Sequence, residues 1–112
     1  MALDEQLLRS LDLNALVVFM VVYRERGVSR AAELLHITQP AVSNTLRKLR
    51  RHFGDALFMP KGKHVCPTAL AVQIASMLEP ALSELQSALR ARSRTDGDLT
   101  YEMTNGVRLA PA

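Results

Sequence analysis

Apolar residues first recur at helical spacing at Leu13, Leu16, Phe19 and Val22, which predicts a helix over residues 13–26 with one core-directed face. Asp12 or Asn14 is available as its N-cap, and Gly27 stands where a left-handed residue would end it. Val17, Met20 and Val21 form a second apolar stripe beside the first. A surface helix of a monomer needs only one stripe, so either the second meets another helix or subunit, or this helix is buried all round. Ser29 offers an N-cap for a short helix from Arg30 to about Leu35, in which Ala31, Ala32 and Leu35 are small or apolar enough to pack closely. His36, Ile37 and Thr38 make the next turn, with His36 expected in the left-handed conformation rather than in a catalytic or metal role.

Thr38 then caps a third helix, and Pro40 falls in its first turn, where a missing N–H costs no intrahelical bond. On a 3.6-residue period Val42, Leu46, Leu49 and Phe53 share one face while Pro40, Asn44, Arg47 and Arg51 lie opposite, and Gly54 stops the helix. Two short helices joined by a tight turn, the second capped and basic, make a helix-turn-helix. After it the pattern changes to strands, Leu57 to Met59 and His64 to Cys66, around a Pro60-Lys61-Gly62-Lys63 loop. That is a small hairpin, placed as a wing would be, with Lys61 and Lys63 at its tip to meet phosphates or simply to be solvated. Helical spacing returns after Thr68, where Ala71, Ile74, Leu78, Leu82, Leu85 and Leu89 advance in steps of three and four to about Arg92. Such a segment spans roughly 35 Å, too long for so small a domain to cover, so its apolar stripe is expected to pair with a second copy. Pro80 should kink it near Ser76. Residues 93–112 lose the periodicity and look like a linker or frayed tail.

The chain has 112 residues, 48% of them hydrophobic and 22% charged, which suits one compact domain with an appendage. Net charge is +3, but its distribution is uneven. Residues 1–37 and 67–112 each carry four Arg against five acids, so all the excess lies between them. There Arg47, Lys48, Arg50, Arg51, Lys61 and Lys63 face only Asp55, a net of +5. This clustering marks a polyanion partner, nucleic acid or an anionic membrane surface. The longest apolar run, Ala15 to Val22, is far short of the roughly 20 residues of a spanning helix, and Asp4 and Glu5 do not suit a signal peptide, so an intracellular protein is expected. Cys66, the only cysteine, excludes an internal disulfide and is read as a small strand residue, and His36, His52 and His64 are not spaced to share a metal. No cofactor or metal is expected. Neither is an enzyme, because no nucleophile, base and orienting acid fall together.

The segments "SRAAELLHITQPAVSNTLRKLRRHFGDALF" and "GKHVCPT" resemble the N-terminal DNA-binding module of LysR-type bacterial transcriptional regulators, in the branch with Pro-Thr after the wing. The resemblance covers about Asp12 to Leu89. It implies a mainly α fold: a winged helix-turn-helix of three helices and a short β-hairpin over residues 1–67, then a long linker and dimerisation helix over 68–92. It also implies double-stranded DNA as partner, bound as an interrupted palindrome by a homodimer in the bacterial cytoplasm and on its nucleoid. By motif position Gln39, Pro40 and Ser43 approach base edges, with Asn44 and Arg47 deeper on the same face and Lys48 beside them, while Ser29, Arg30 and Thr38 hold phosphates. Gln39 can pair with adenine N6 and N7, and Arg47 either reads guanine or holds phosphate. Relatives usually place Arg at the second position of Met59-Pro60, so wing contact here rests more on Lys61 and Lys63. Dimerisation is expected through Val17, Met20 and Val21 together with Ile74, Leu78, Leu82, Leu85 and Leu89. Full members of the family continue into a two-lobed effector domain that nothing after Thr95 could form, so this chain is expected to carry no small-molecule effector site. It is then an excised piece, a truncated frame or a free-standing DNA-binding protein, or it acts by heterodimerising with full-length relatives through the linker helix.

Overall fold

The computed structural model describes the backbone of residues 2–99 and side chains as far as Ala91. In order the elements are α1 (Glu5–Leu8), α2 (Leu13–Glu25), α3 (Val28–Leu35), α4 (Gln39–Phe53), β1 (Phe58–Lys61), β2 (His64–Pro67) and α5 (Ala69–Leu99). They fall into two compact units, the first ending at Leu78 and the second beginning at Glu79. The first unit is a winged helix-turn-helix.

Its core lies where α2, α3 and α4 converge, under the hairpin and the first turns of α5. Phe19 is fully buried, with the Phe58 ring 5.4 Å and the Tyr23 ring 6.2 Å from it. Val22, Ala31, Val42, Leu49, Leu57 and Ala71 are likewise sealed from water. Burying a side chain the size of Phe19 or Leu49 contributes about 1.5–3 kcal/mol, so these few residues dominate the first unit's stability. Helix α2 buries Ala15, Val18, Phe19 and Val22, an i, i+3, i+4, i+7 set. Leu13, expected on that face, precedes it by half a turn and remains 48% exposed.

Local chemistry explains most helix ends. Asp12 caps α2, its Oδ1 accepting from Asn14 N–H at 3.0 Å. The left-handed residue that ends α2 is Arg26 (φ 57), not Gly27, whose backbone is extended and forms the N-cap of α3. At the end of α2, the Arg26 N–H reaches Val22 O at 2.7 Å and its guanidinium lies 4.8 Å from the Tyr23 ring centre. Because Gly27 is the cap, α3 starts at Val28 and Ser29 sits inside the first turn without capping it. His36 closes α3 at φ 58, as its turn position requires. Thr38 caps α4, its Oγ1 accepting from Ala41 N–H at 3.1 Å, and Gly54 ends it at φ 63.

The hairpin is tighter than its sequence suggests. Its strands pair Phe58 with Pro67, Met59 with Cys66, Pro60 with Val65 and Lys61 with His64, so only Gly62 and Lys63 form the loop and Pro60 lies within β1. In an antiparallel ladder alternate pairs exchange no backbone hydrogen bonds, and the two prolines occupy such pairs, where no N–H is needed. Val65, opposite Pro60, points its N–H outward instead and donates to Arg26 O at 3.0 Å, fastening the hairpin to the end of α2. Thr68 then caps α5, Oγ1 accepting from Ala71 N–H at 3.2 Å. Helix α5 continues past Arg92 to Leu99, so residues 93–99, expected as linker or tail, are helical; residues 100–112 lie outside the described residues. Pro80 lies within α5, where it has no N–H to offer the Ser76 carbonyl.

Candidate nucleic-acid interface

Helix α4 presents two different faces because its apolar residues follow one period. Val42, Leu46 and Leu49 are buried, while Gln39, Pro40, Asn44, Arg47, Lys48 and Arg51 are exposed and Ser43 is half-buried. No acidic residue occurs on α4. The outward strip therefore begins with uncharged hydrogen-bonding groups at the N-terminal end and becomes cationic towards the C-terminal end. Arg47 Nη1 donates to Asn44 Oδ1 at 2.6 Å, which orients both side chains outward before any partner arrives. Thr38 uses its oxygen as an acceptor in the cap, so its hydroxyl proton remains available to a phosphate.

A groove of about 440 Å³ runs between the start of α3 and the hairpin, lined by Ser29, Arg30, Lys63 and His64 among others. Three residues expected at phosphates, from two separate parts of the sequence, thus meet at one place. Arg30 is engaged there, with Nη1 3.0 Å from Glu33 and Nε 4.0 Å from Glu25. Such exposed pairs contribute about 0–1 kcal/mol, less than a charge-assisted bond to phosphate, so they do not withhold the guanidinium. Lys61 is exposed on β1, away from that groove's lining. A larger groove, about 850 Å³, lies on the other side of α4, where Lys48, Arg51 and His52 face Arg9 and Asn14. Arg9, which lines this groove, follows α1, a four-residue helix too short to give a periodic signal.

Arg50 is exposed as well, but one of its nitrogens is tied into the fold. Its Nε donates to the Ala56 carbonyl at 2.9 Å, inside the turn that leads to β1. Asp55, the lone acid of the basic segment, is committed as well: Oδ2 accepts from Leu57 N–H at 2.8 Å and from the Thr68 hydroxyl at 2.7 Å. The Thr68 hydroxyl first, and the Leu57 N–H second, hold the Asp55 carboxyl below the usual carboxylate range against a smaller opposing effect of desolvation.

Residues 13–72, more than half of the chain, match the family described as bacterial regulatory helix-turn-helix protein, lysR family. The chain belongs to the LysR family. Among curated relatives, the HTH-type transcriptional activator NagR of Ralstonia sp is 46% identical over 89 residues, which is 80% of this chain and 30% of that protein. Among solved structures, the probable transcriptional regulator PA0477 from Pseudomonas aeruginosa superposes with a TM-score of 0.71 at 42% identity, covering 75% of this chain and 28% of that one. The BenM_DBD/benA site 1 DNA complex shares the fold, with a TM-score of 0.67 at 24% identity, covering 76% of this chain and 99% of that one. The chain thus spans about 30% of the length of the curated relatives it matches and constitutes a LysR-type DNA-binding domain with a helical extension. These relatives are transcriptional regulators, not enzymes.

The residues expected to dimerise differ in burial. Ile74 is a core residue, 8% exposed, and Leu78 is half-buried against the same core. Met20 and Val21 are also partly buried against that core. Val17 is half-buried on the wall of the larger groove. In the second unit Leu82 is half-buried, whereas Leu85 and Leu89 are 38% and 56% exposed. Cys66 lies exposed on β2. Among the described residues no helix is long and apolar enough to cross a membrane.

Proposed function

We propose that this domain binds double-stranded DNA sequence-specifically, with α4 in the major groove and the β1–β2 hairpin against the flanking backbone. The carrying observation is the division of α4's exposed strip into an uncharged N-terminal part, Gln39, Pro40 and Asn44, and a cationic part, Arg47, Lys48 and Arg51. Charge alone would locate any polyanion. Exposed amide groups at a helix N-terminal end can additionally distinguish base edges, which only the major groove displays uniquely. Lys61, Lys63, Ser29, Arg30 and Thr38 then hold phosphates and fix the register. Two such domains paired through the stripe of Leu82, Leu85 and Leu89 would read two half-sites of an interrupted palindrome.

Selection of bound duplexes from a random pool tests this reading. It should enrich a repeated half-site in inverted orientation, and log affinity should fall with log salt by about 0.9 for each phosphate neutralised. Retention of all duplexes alike would leave only charge recognition.

A further inference from the structure

The turn between α4 and β1 is strained, and three side chains hold it. Leu57 is fully buried with φ 65, a conformation that non-glycine residues seldom adopt. Across it Phe58 N–H donates to Ala56 O at 2.7 Å, which closes the rarer form of γ-turn, with positive φ at its centre. The Leu57 N–H is taken by Asp55 Oδ2 at 2.8 Å and the Leu57 carbonyl by Thr68 N–H at 2.8 Å. Arg50 Nε donates to the Ala56 carbonyl at 2.9 Å, while the Arg50 carbonyl accepts from Gly54 N–H at 2.8 Å and Asp55 N–H at 3.3 Å. The Thr68 hydroxyl links both sides, donating to Asp55 Oδ2 at 2.7 Å and accepting from Ala71 N–H at 3.2 Å. One clamp therefore joins the last turn of α4, the first residue of the hairpin and the first turn of α5. Strain of this kind persists only where surrounding groups over-determine it.

We propose that Asp55, acting with Arg50 and Thr68, is a positioning residue for DNA binding: it holds the Leu57 turn that sets the hairpin bearing Lys61 and Lys63 against the end of α2 and the start of α3. Without the carboxylate, Leu57 relaxes towards extended backbone, β1 leaves α4 at another angle, and the Val65 to Arg26 bond loosens with it. This rests on the reading that α4 and the hairpin both contact DNA.

Two measurements test it on the full chain. In amide exchange without DNA, Asp55→Ala and Thr68→Val should each speed exchange at Leu57 and Val65 about tenfold, the scale of one lost hydrogen bond. Val42, whose N–H donates to the Thr38 carbonyl at the start of α4, should keep its rate, and Thr68→Ser, which retains the hydroxyl, should behave as the wild type. Equal exchange at Leu57 in Thr68→Ser and Thr68→Val would overturn the clamp, and so would wild-type exchange in Asp55→Ala. In binding to a mixed-sequence duplex, Lys63→Ala should weaken the wild type but add nothing in an Asp55→Ala background, whereas Arg47→Ala should cost the same in both. Additive losses for Lys63→Ala and Asp55→Ala would show that Asp55 does not position the hairpin. Should Lys63→Ala leave wild-type binding unchanged, the hairpin's contact with DNA fails while exchange at Leu57 still decides the clamp.

Discussion

Gln39 and Lys63 are both exposed, yet they can do different work, because an amide distinguishes base edges and an ammonium does not. Gln39→Ala is expected to lose about 1–3 kcal/mol against the preferred base at one position and little against others. Lys63→Ala is expected to weaken every duplex equally and to lower the salt slope by about 0.9. Anisotropy titrations of a selected duplex and its single-base variants over a salt series separate the two, and parallel losses on all sequences would remove the distinction. Asp55 differs from both, since its charge is spent inside the domain. Its folded pKa lies below the unfolded one, so its contribution is fully present above the unfolded pKa and disappears as pH falls through the folded value. Urea midpoints should therefore fall on acidification less steeply in Asp55→Asn than in the wild type, with the two converging at low pH. Identical acid limbs would mean the carboxylate contributes nothing. Residues whose structure depends on near neighbours were legible in sequence, as Thr38 and His36 illustrate. Arg26 and Asp55 were not, because Arg26 meets Val65 and Asp55 meets Thr68 across intervals that no local pattern encodes.

At the level of elements, α4 is specified twice, by a cap and by a buried face. Thr38→Ala removes the acceptor for Ala41 N–H and should cost about 1 kcal/mol, whereas Leu49→Ala opens a cavity in the core and should cost about 2–5 kcal/mol. Denaturant midpoints at unchanged slope would rank them, and a Thr38→Ala loss as large as that of Leu49→Ala would assign the cap a role beyond the helix end. Periodicity made α2, α3 and α4 readable, because each buries one face against the others. The hairpin was less so: Pro60 suggests a loop, and only the pairing register reveals a position where its missing N–H is harmless. Helix α1 contributes four residues and no buried side chain, leaving no pattern to detect.

For the whole molecule, α5 bears on how many copies act together. The apolar stripe that sequence assigns to one interface is divided in the structure, since Ala71 and Ile74 serve the domain core while Leu85 and Leu89 remain exposed. Exposed leucines one helical turn apart on one face cost solubility unless something covers them, and a second α5 offers the same stripe in return. Leu85→Asp or Leu89→Asp would place an unpaired carboxylate in that contact and should weaken a dimer by about 3–5 kcal/mol, while Ser87→Asp on the opposite face should not. The domain core, made by residues up to Leu78, should unfold as in the wild type. Sedimentation at micromolar protein gives the direct answer, with a wild-type monomer ending the proposal. Duplex binding supplies the functional one: without a partner, the second half-site no longer benefits from being tethered, a gain of about 10²–10⁴ in linked binding, so affinity for a paired site should drop towards that for a single half-site. If Leu85→Asp lowers affinity for single and paired half-sites by the same factor, the loss belongs to the domain itself rather than to its pairing.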